Sequence, residues 1–253
     1  MNEATFFNLL SLVWAVAALF SFLILLFVTA PYGRHIHKKT GPVISSTLGW
    51  LIMEAPAPLL FLAFFYLGER QKNPVVFIFL LFWLFHYIYR AFVFPFLIRG
   101  TTRSMPLYII CSAFFFNLVN TYLQGRYINT IGPTYDLVWL YDPRFVFGGT
   151  LFLVGFAINL RADSILRNLR KPGEIHYSIP FGNLFKYVSC PNYLGEVIEW
   201  IGWALMTWSI PGLIFAFWTV ANLGPRAIAH HRWYKKHFAD YPKGRKALIP
   251  FIL

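Results

Sequence analysis

Apolar residues run in long blocks along this chain, and polar residues gather in the short gaps between them. From Ala4 to Gly33 there is no charged residue, a length that crosses a hydrocarbon core about 30 Å thick. Continuing along the chain, the blocks predict seven spans: 5–29, 44–67, 74–98, 106–125, 145–163, 194–208 and 211–233. Pro211, following Trp208-Ser209-Ile210, predicts a tight turn between the last two. The opening Met1-Asn2-Glu3 has no basic n-region, so the first block reads as a retained helix rather than a signal peptide. No internal repeat, low-complexity tract or Ser/Gly linker intervenes. The chain therefore reads as one domain over 1–253, an all-α integral membrane protein with seven transmembrane helices.

Composition agrees: 58% of residues are hydrophobic, 20% aromatic and only 13% charged, against about 25% charged in soluble domains. The net charge of +12 reports orientation rather than nucleic-acid binding, because the cations are unevenly placed. Of the 22 Lys and Arg residues, 17 fall on one side. They follow the first, third and fifth spans or lie in the C-terminal segment from Arg226 to Lys246. The positive-inside rule then puts the N-terminus outside and the C-terminus in the cytoplasm. A bacterial inner membrane and the endoplasmic reticulum membrane both fit. Cys111 and Cys190 form no CxxC pair and read as free thiols.

The fifth span and the loop after it hold the densest polar chemistry. On a helix Asn159, Asp163, Arg167 and Arg170 fall at i, i+4, i+8 and i+11, on one face. An amide, a carboxylate and two guanidiniums at a cytoplasmic helix end suit a polyanionic ligand with hydroxyls, such as a nucleotide. Ionisable groups within spans are functional candidates. Glu54 and Tyr87 each lie some ten residues from the cytoplasmic end of a neighbouring antiparallel span, about 15 Å deep at roughly 1.5 Å per residue. The alternative is a structural Glu54–Arg90 ion pair with Tyr87 as a core aromatic. Arg226, His230 and Tyr234 share a face of the last span, as a ligand-binding set or as a snorkelling anchor. Glu196 and Glu199 flank the start of the sixth span, where one of them can cap the helix. Neither a GxGxxG, a GxxxxGK[ST] nor a GxSxG motif is present. His230-His231 and His237 have no matching His cluster elsewhere, so no metal site is expected.

Several long segments together resemble the steroid 5α-reductases. They are His86-Tyr87-x-x-Arg90, Arg99-Gly100, Ile158-Asn159-x-x-x-Asp163, Leu166-Arg167-x-Leu169-Arg170-Lys171-Pro172-Gly173-Glu174, Gly195-Glu196-x-x-Glu199-Trp200 and Asp240-Tyr241-Pro242-Lys243. The resemblance runs from about Trp50 to the C-terminus. It implies a seven-helix membrane enzyme that uses NADPH to saturate the double bond of a 3-keto-4-ene steroid entering from the bilayer. Carried over by residue, it implies that Glu54 and Tyr87 engage the substrate ketone. It also implies cofactor binding by Arg103, Asn159, Asp163, Arg167, Arg170, Tyr177, Asn192, Glu196, Arg226, His230 and Tyr234. Arg161 stands where mammalian members have His, and Ser178 where they have a basic residue, departures expected of a bacterial or otherwise divergent member. A monomer is expected.

The residue types suit that chemistry. Hydride addition to an enone needs the developing carbonyl oxyanion stabilised, and either a buried acid or a phenol can donate to it. Trp50, one turn before Glu54, and Trp200 are flat walls suited to a ring system, or ordinary core. A second resemblance, of Pro191-Asn192-Tyr193-Leu194-Gly195-Glu196 to isoprenylcysteine-type membrane methyltransferases, would bring S-adenosylmethionine instead. Those enzymes begin the motif with Arg-His-Pro, whereas this chain has Ser189-Cys190-Pro191. The cations of the 159–170 face also suit phosphates, which S-adenosylmethionine lacks. An enone or polyprenol reductase of the same fold would need the same acid and phenol.

Overall fold

The computed structural model describes residues 1–30, 41–98, 104–169 and 177–253. Helix α1, Glu3–Phe27, starts at Asn2, whose side chain accepts from Thr5 N–H at 2.9 Å. Glu3 is held by both arms of Arg126, each at 2.7 Å. The second apolar block forms two helices, α2 (Ser46–Glu54) and α3 (Pro56–Leu67), with Ala55 between them. Pro56 explains the break: it has no N–H to continue the ladder, yet its fixed φ suits the first turn of a new helix. The third block is α4 (Pro74–Ile88), a π-turn at Tyr89–Val93, and the short α5 (Phe94–Leu97). Strands β1 (Val43–Ser45) and β2 (Ser104–Pro106) pair antiparallel, Val43 opposite Pro106. The chain continues through α6 (Leu107–Arg126), α7 (Pro143–Asn168), α8 (Pro191–Thr207) and α9 (Ile210–His237).

Among the described residues, six stretches are long and apolar enough to cross a membrane: Glu3–Phe27, Ser46–Leu67, Pro74–Leu97, Leu107–Ile131, Pro143–Asn168 and Ile210–His237. The sixth span expected from the sequence corresponds to α8, whose 17 residues fall short of the about 20 a perpendicular crossing needs. Its inner residues Glu199, Trp200, Trp203 and Met206 are fully or almost fully buried. The turn expected at Pro211 is made by Trp208, left-handed at φ 43°, and by Ser209, whose hydroxyl accepts from Gly212 N–H at 3.0 Å.

A cluster of rings fills the centre. Phe61, Phe79, Trp83, Phe152, Trp200 and Trp203 are all almost completely buried, whereas Phe20, Phe27, Leu213 and Phe217 stand exposed on the outside. An apolar exterior around an apolar centre is what a lipid-facing surface looks like. Helices α7 and α8 pack backbone to backbone. A Cβ placed on Gly148, Gly155, Gly195 or Gly202 would run into the opposing main chain. This close approach brings the polar residues of α7 within reach of those on α8.

Candidate active site

Two interruptions in helix geometry meet at the candidate site. Glu54 is the last residue of α2, beside the break at Ala55, and Tyr87 is the last residue but one of α4, just before the π-turn begins. A π-turn inserts a residue into the helical repeat and re-aims the side chains that follow. Here it carries Arg90 over the Trp50 ring, 4.5 Å from its centroid, and over Phe94 at 5.0 Å. Arg90 Nε lies 3.9 Å from Glu54 and Nη1 lies 4.0 Å from Asp163. The Glu54–Arg90 pair that the spacing allows is therefore present, and the same cation also faces Asp163. Asn117 on α6 donates to Glu54 Oε2 at 3.1 Å and to the Met53 carbonyl at 2.7 Å.

Tyr87 is buried at 3% exposure. Its ring lies 4.7 Å from Trp83 and 5.8 Å from Trp200. Trp200 also packs against Phe215 at 4.2 Å. Trp50 and Trp200 sit in two different buried clusters, Trp50 with Met53, Met105 and Ile110 beside Arg90, and Trp200 with Trp83 and Tyr87.

The polar face of α7 opens toward α8. Asn192, in the first turn of α8, donates to Asp163 at 3.1 Å, while Asn159 donates to the Asn192 carbonyl at 3.0 Å and lies 3.5 Å from Glu196. Arg167 donates to the Tyr89 hydroxyl at 3.1 Å. Arg103 and Arg170 lie outside the described residues. Glu196 and Glu199 do not cap α8: the helix starts at Pro191, so both fall beyond its first turn. Glu199 instead meets His86 at 2.7 Å.

A third group stands on the C-terminal part of α9 and against it. His230 Nε2 is 3.2 Å from the Tyr193 hydroxyl, and Tyr193 follows Asn192, which links this face to the α7–α8 set. Tyr234 stacks on Tyr241 at 5.2 Å and 8°, Tyr177 packs edge-on against Trp233 at 5.2 Å, and Arg226 is half-buried. Ser189 closes the C-terminal segment on this end, 2.6 Å from the Tyr241 hydroxyl and 2.7 Å from His231 Nδ1. Burial pushes the Tyr241 phenol above its ordinary range.

Sequence reasoning passed over Asn117, Tyr89 and Tyr193. The signal for Asn117 was present: Asn117, Asn120 and Gln124 repeat at helical spacing inside an apolar span, and all three are buried. A groove of about 270 Å³, lined by Val154, Ile158, Arg161, Ala162, Phe185 and Pro191, runs along a different face of α7 from Asn159 and Asp163.

Comparison with known proteins points the same way. Residues 103–253 match the family model described as 3-oxo-5-alpha-steroid 4-dehydrogenase. The chain is 44% identical over 255 residues to a steroid 5-alpha-reductase of Gossypium hirsutum, covering 99% of each chain. It is 45% identical over 240 residues to 3-oxo-5-alpha-steroid 4-dehydrogenase 1 of Bos taurus, covering 92% of this chain and 91% of that one. With the enzyme of the same name from Homo sapiens it shares 43% identity over 224 residues, covering 87% and 85%.

Proposed function

The chain belongs to the 3-oxo-5-alpha-steroid 4-dehydrogenase family of oxidoreductases, and from that premise we propose that it reduces the 4,5 double bond of a 3-oxo-4-ene steroid with NADPH. One observation carries the reading to particular residues. Arg90 ties Glu54, on the side of the in-membrane phenol Tyr87, to Asp163, on the side of the α7–α8 polar set. A site for a ketone and a site for a nucleotide thus adjoin. The matched family model spans all of residues 191–196, so the methyltransferase reading is not carried forward.

The α7–α8 groups fit the proposed cofactor by their chemistry. Carboxylates at Asp163 and Glu196 accept from ribose hydroxyls. The amides of Asn159 and Asn192 both donate and accept. Arg167, with Arg103 and Arg170, supplies guanidiniums for phosphates, and Tyr177, Arg226, His230 and Tyr234 complete the binding set at the end of α9. NADPH, when bound, supplies the hydride. Tyr87 and Glu54 hold the steroid's ketone oxygen by hydrogen bonds that strengthen as negative charge develops there. Trp50 and Trp200 bound the ring system and exclude water, which raises the worth of each polar contact.

In this reading the steroid enters laterally from the bilayer and the protein acts as a monomer. The N-terminus lies outside and the C-terminus in the cytoplasm, where NADPH is available, with α8, the sixth span, counted as a crossing so that there are seven in all. The host membrane is either a bacterial inner membrane or the endoplasmic reticulum. The test is oxidation of NADPH by purified protein on adding a 3-keto-4-ene steroid, with its saturated analogue as the control. Equal NADPH oxidation with both steroids contradicts the reading.

A further inference from the structure

His86 and Glu199 lie one residue away from two residues of the proposed steroid site, the phenol Tyr87 on α4 and the wall Trp200 on α8. The two neighbouring pairs face each other across the same helix contact. His86 Nδ1 is 2.7 Å from Glu199 Oε1, and beside it the Tyr87 and Trp200 rings are 5.8 Å apart. The His86 ring itself touches both of these rings, 4.9 Å from Tyr87 and 4.6 Å from Trp200. Further contacts here are between rings, among them Trp83 with Trp200 at 5.7 Å and with Trp203 at 5.3 Å, and Phe79 with Trp203 at 6.0 Å. Ring contacts tolerate sliding. A short hydrogen bond does not.

Glu199 is completely buried, and among the described residues its second oxygen, Oε2, has no hydrogen-bond partner. Such an atom costs free energy without returning any, and an apolar pair of similar volume would hold two helices together at least as well. Stability alone therefore does not explain this contact. Its surroundings explain it as a register device. The Glu199 backbone lies directly on Gly155 of α7, so it has no room to retreat. Asn159 stands one turn along α7 from Gly155 and bonds to the Asn192 carbonyl at the start of α8. The carboxyl thus extends from a fixed α7–α8 unit, and its bond to His86 fixes α4 against that unit.

We propose that His86 and Glu199 are a positioning pair for enone reduction, holding α4 in the register that aims the Tyr87 phenol at the ketone. One proton lies between them whichever partner carries it, so the bond persists in either arrangement. The inference rests on the reading that Tyr87 engages the ketone.

The test compares wild type, Glu199→Gln, and the double variant His86→Leu/Glu199→Leu. Each is assayed with saturating NADPH and a 3-keto-4-ene steroid, with thermal midpoint and NADPH affinity measured on the same samples. The double variant keeps the face apolar and filled, so its midpoint should equal or exceed that of wild type. Its kcat should nevertheless fall roughly ten- to a hundredfold, the effect of misplacing a group by about 1 Å, with NADPH affinity within about twofold. Glu199→Gln retains an acceptor oxygen for His86 and should recover kcat to within about threefold of wild type. A folded double variant with wild-type kcat overturns the proposal, and so does Glu199→Gln as slow as the double variant. If the double variant does not fold, the pair is a structural staple and the proposal is likewise overturned. A wild type that reduces no enone fails at an earlier point, the proposed function itself.

Discussion

Arg90 approaches Asp163 on α7 at 4.0 Å while its Nε lies 3.9 Å from Glu54 at the end of α2. One cation therefore faces a carboxylate from each half of the proposed site. Both contacts are at the outer edge of ion-pair distance and the Arg90 side chain is 20% exposed, so solvent screens part of the attraction. Arg90→Met should weaken NADPH binding by about two- to tenfold and slow turnover as well, and Arg90→Lys should restore part of both. Isothermal titration with NADPH checks the first effect. Unchanged affinity in Arg90→Met would remove Arg90 as a link between the two halves.

Tyr87→Phe removes one donor to the developing oxyanion and leaves the ring that packs on Trp83 and Trp200. Losing one such donor typically slows catalysis about 10²–10³-fold. The variant should keep its thermal midpoint and its NADPH affinity. Steady-state turnover with saturating steroid measures the loss, and near-normal turnover would take Tyr87 out of the mechanism.

The guanidiniums assigned to phosphates predict cofactor choice. A charge-assisted hydrogen bond contributes about 1.5–3 kcal/mol, so Arg170→Ala should weaken NADPH binding roughly ten- to a hundredfold. Wild type should prefer NADPH to NADH. Competitive fluorescence titration of the two cofactors gives the ratio, and equal affinities would contradict the assignment.

The α7–α8 contact predicts where the bundle cannot accept volume. Gly155→Leu would drive a side chain into the Glu199 backbone; overpacking of this kind costs about 1–3 kcal/mol, and here the obstacle is main chain, which cannot rotate away. A lowered thermal midpoint is expected. Gly224→Ala on α9 meets nothing within 4 Å and should leave the midpoint unchanged or raise it. If both variants melt together, the packing account is wrong.

The distribution of basic residues predicts the orientation of the chain. A reporter active only in the cytoplasm, fused after Leu253, should be active. A fully expressed but inactive fusion would put the C-terminus outside and reverse the proposed access of NADPH.

Much of the architecture is legible in the sequence because lipid imposes it. Apolar runs the length of α1 have no other common use, and five further stretches are long and apolar enough to match it, although each holds a charged residue. The alignment of Asn159 with Asp163 is likewise a consequence of helical periodicity. Other features depend on contacts between distant segments. Nothing local marks Tyr89–Val93 as a π-turn, since one inserted residue leaves the hydropathy of α4 unchanged. Pro56 is visible in the sequence, yet a proline inside an apolar block can kink a helix or restart one, and here it does the latter. The length of α8 is obscured because Pro191 and Asn192 look like loop residues until Asn192 is seen to reach Asp163. Glu199 looks like a cap from its position near a helix start; the helix's actual start at Pro191 and the contact with His86 show otherwise.

The central claim is transfer of a hydride from NADPH to the steroid's β carbon, within a site where Tyr87 and Glu54 hold the ketone. It is tested most directly by incubating the purified protein with a 3-keto-4-ene steroid and NADPH deuterated at the transferring position of the nicotinamide ring, then locating the label by NMR. The account predicts a saturated 3-keto steroid carrying one deuterium at C5, with the hydrogen added at C4 coming from solvent. A product that carries the label at C4 or at the C3 carbinol, or that carries none, would contradict it.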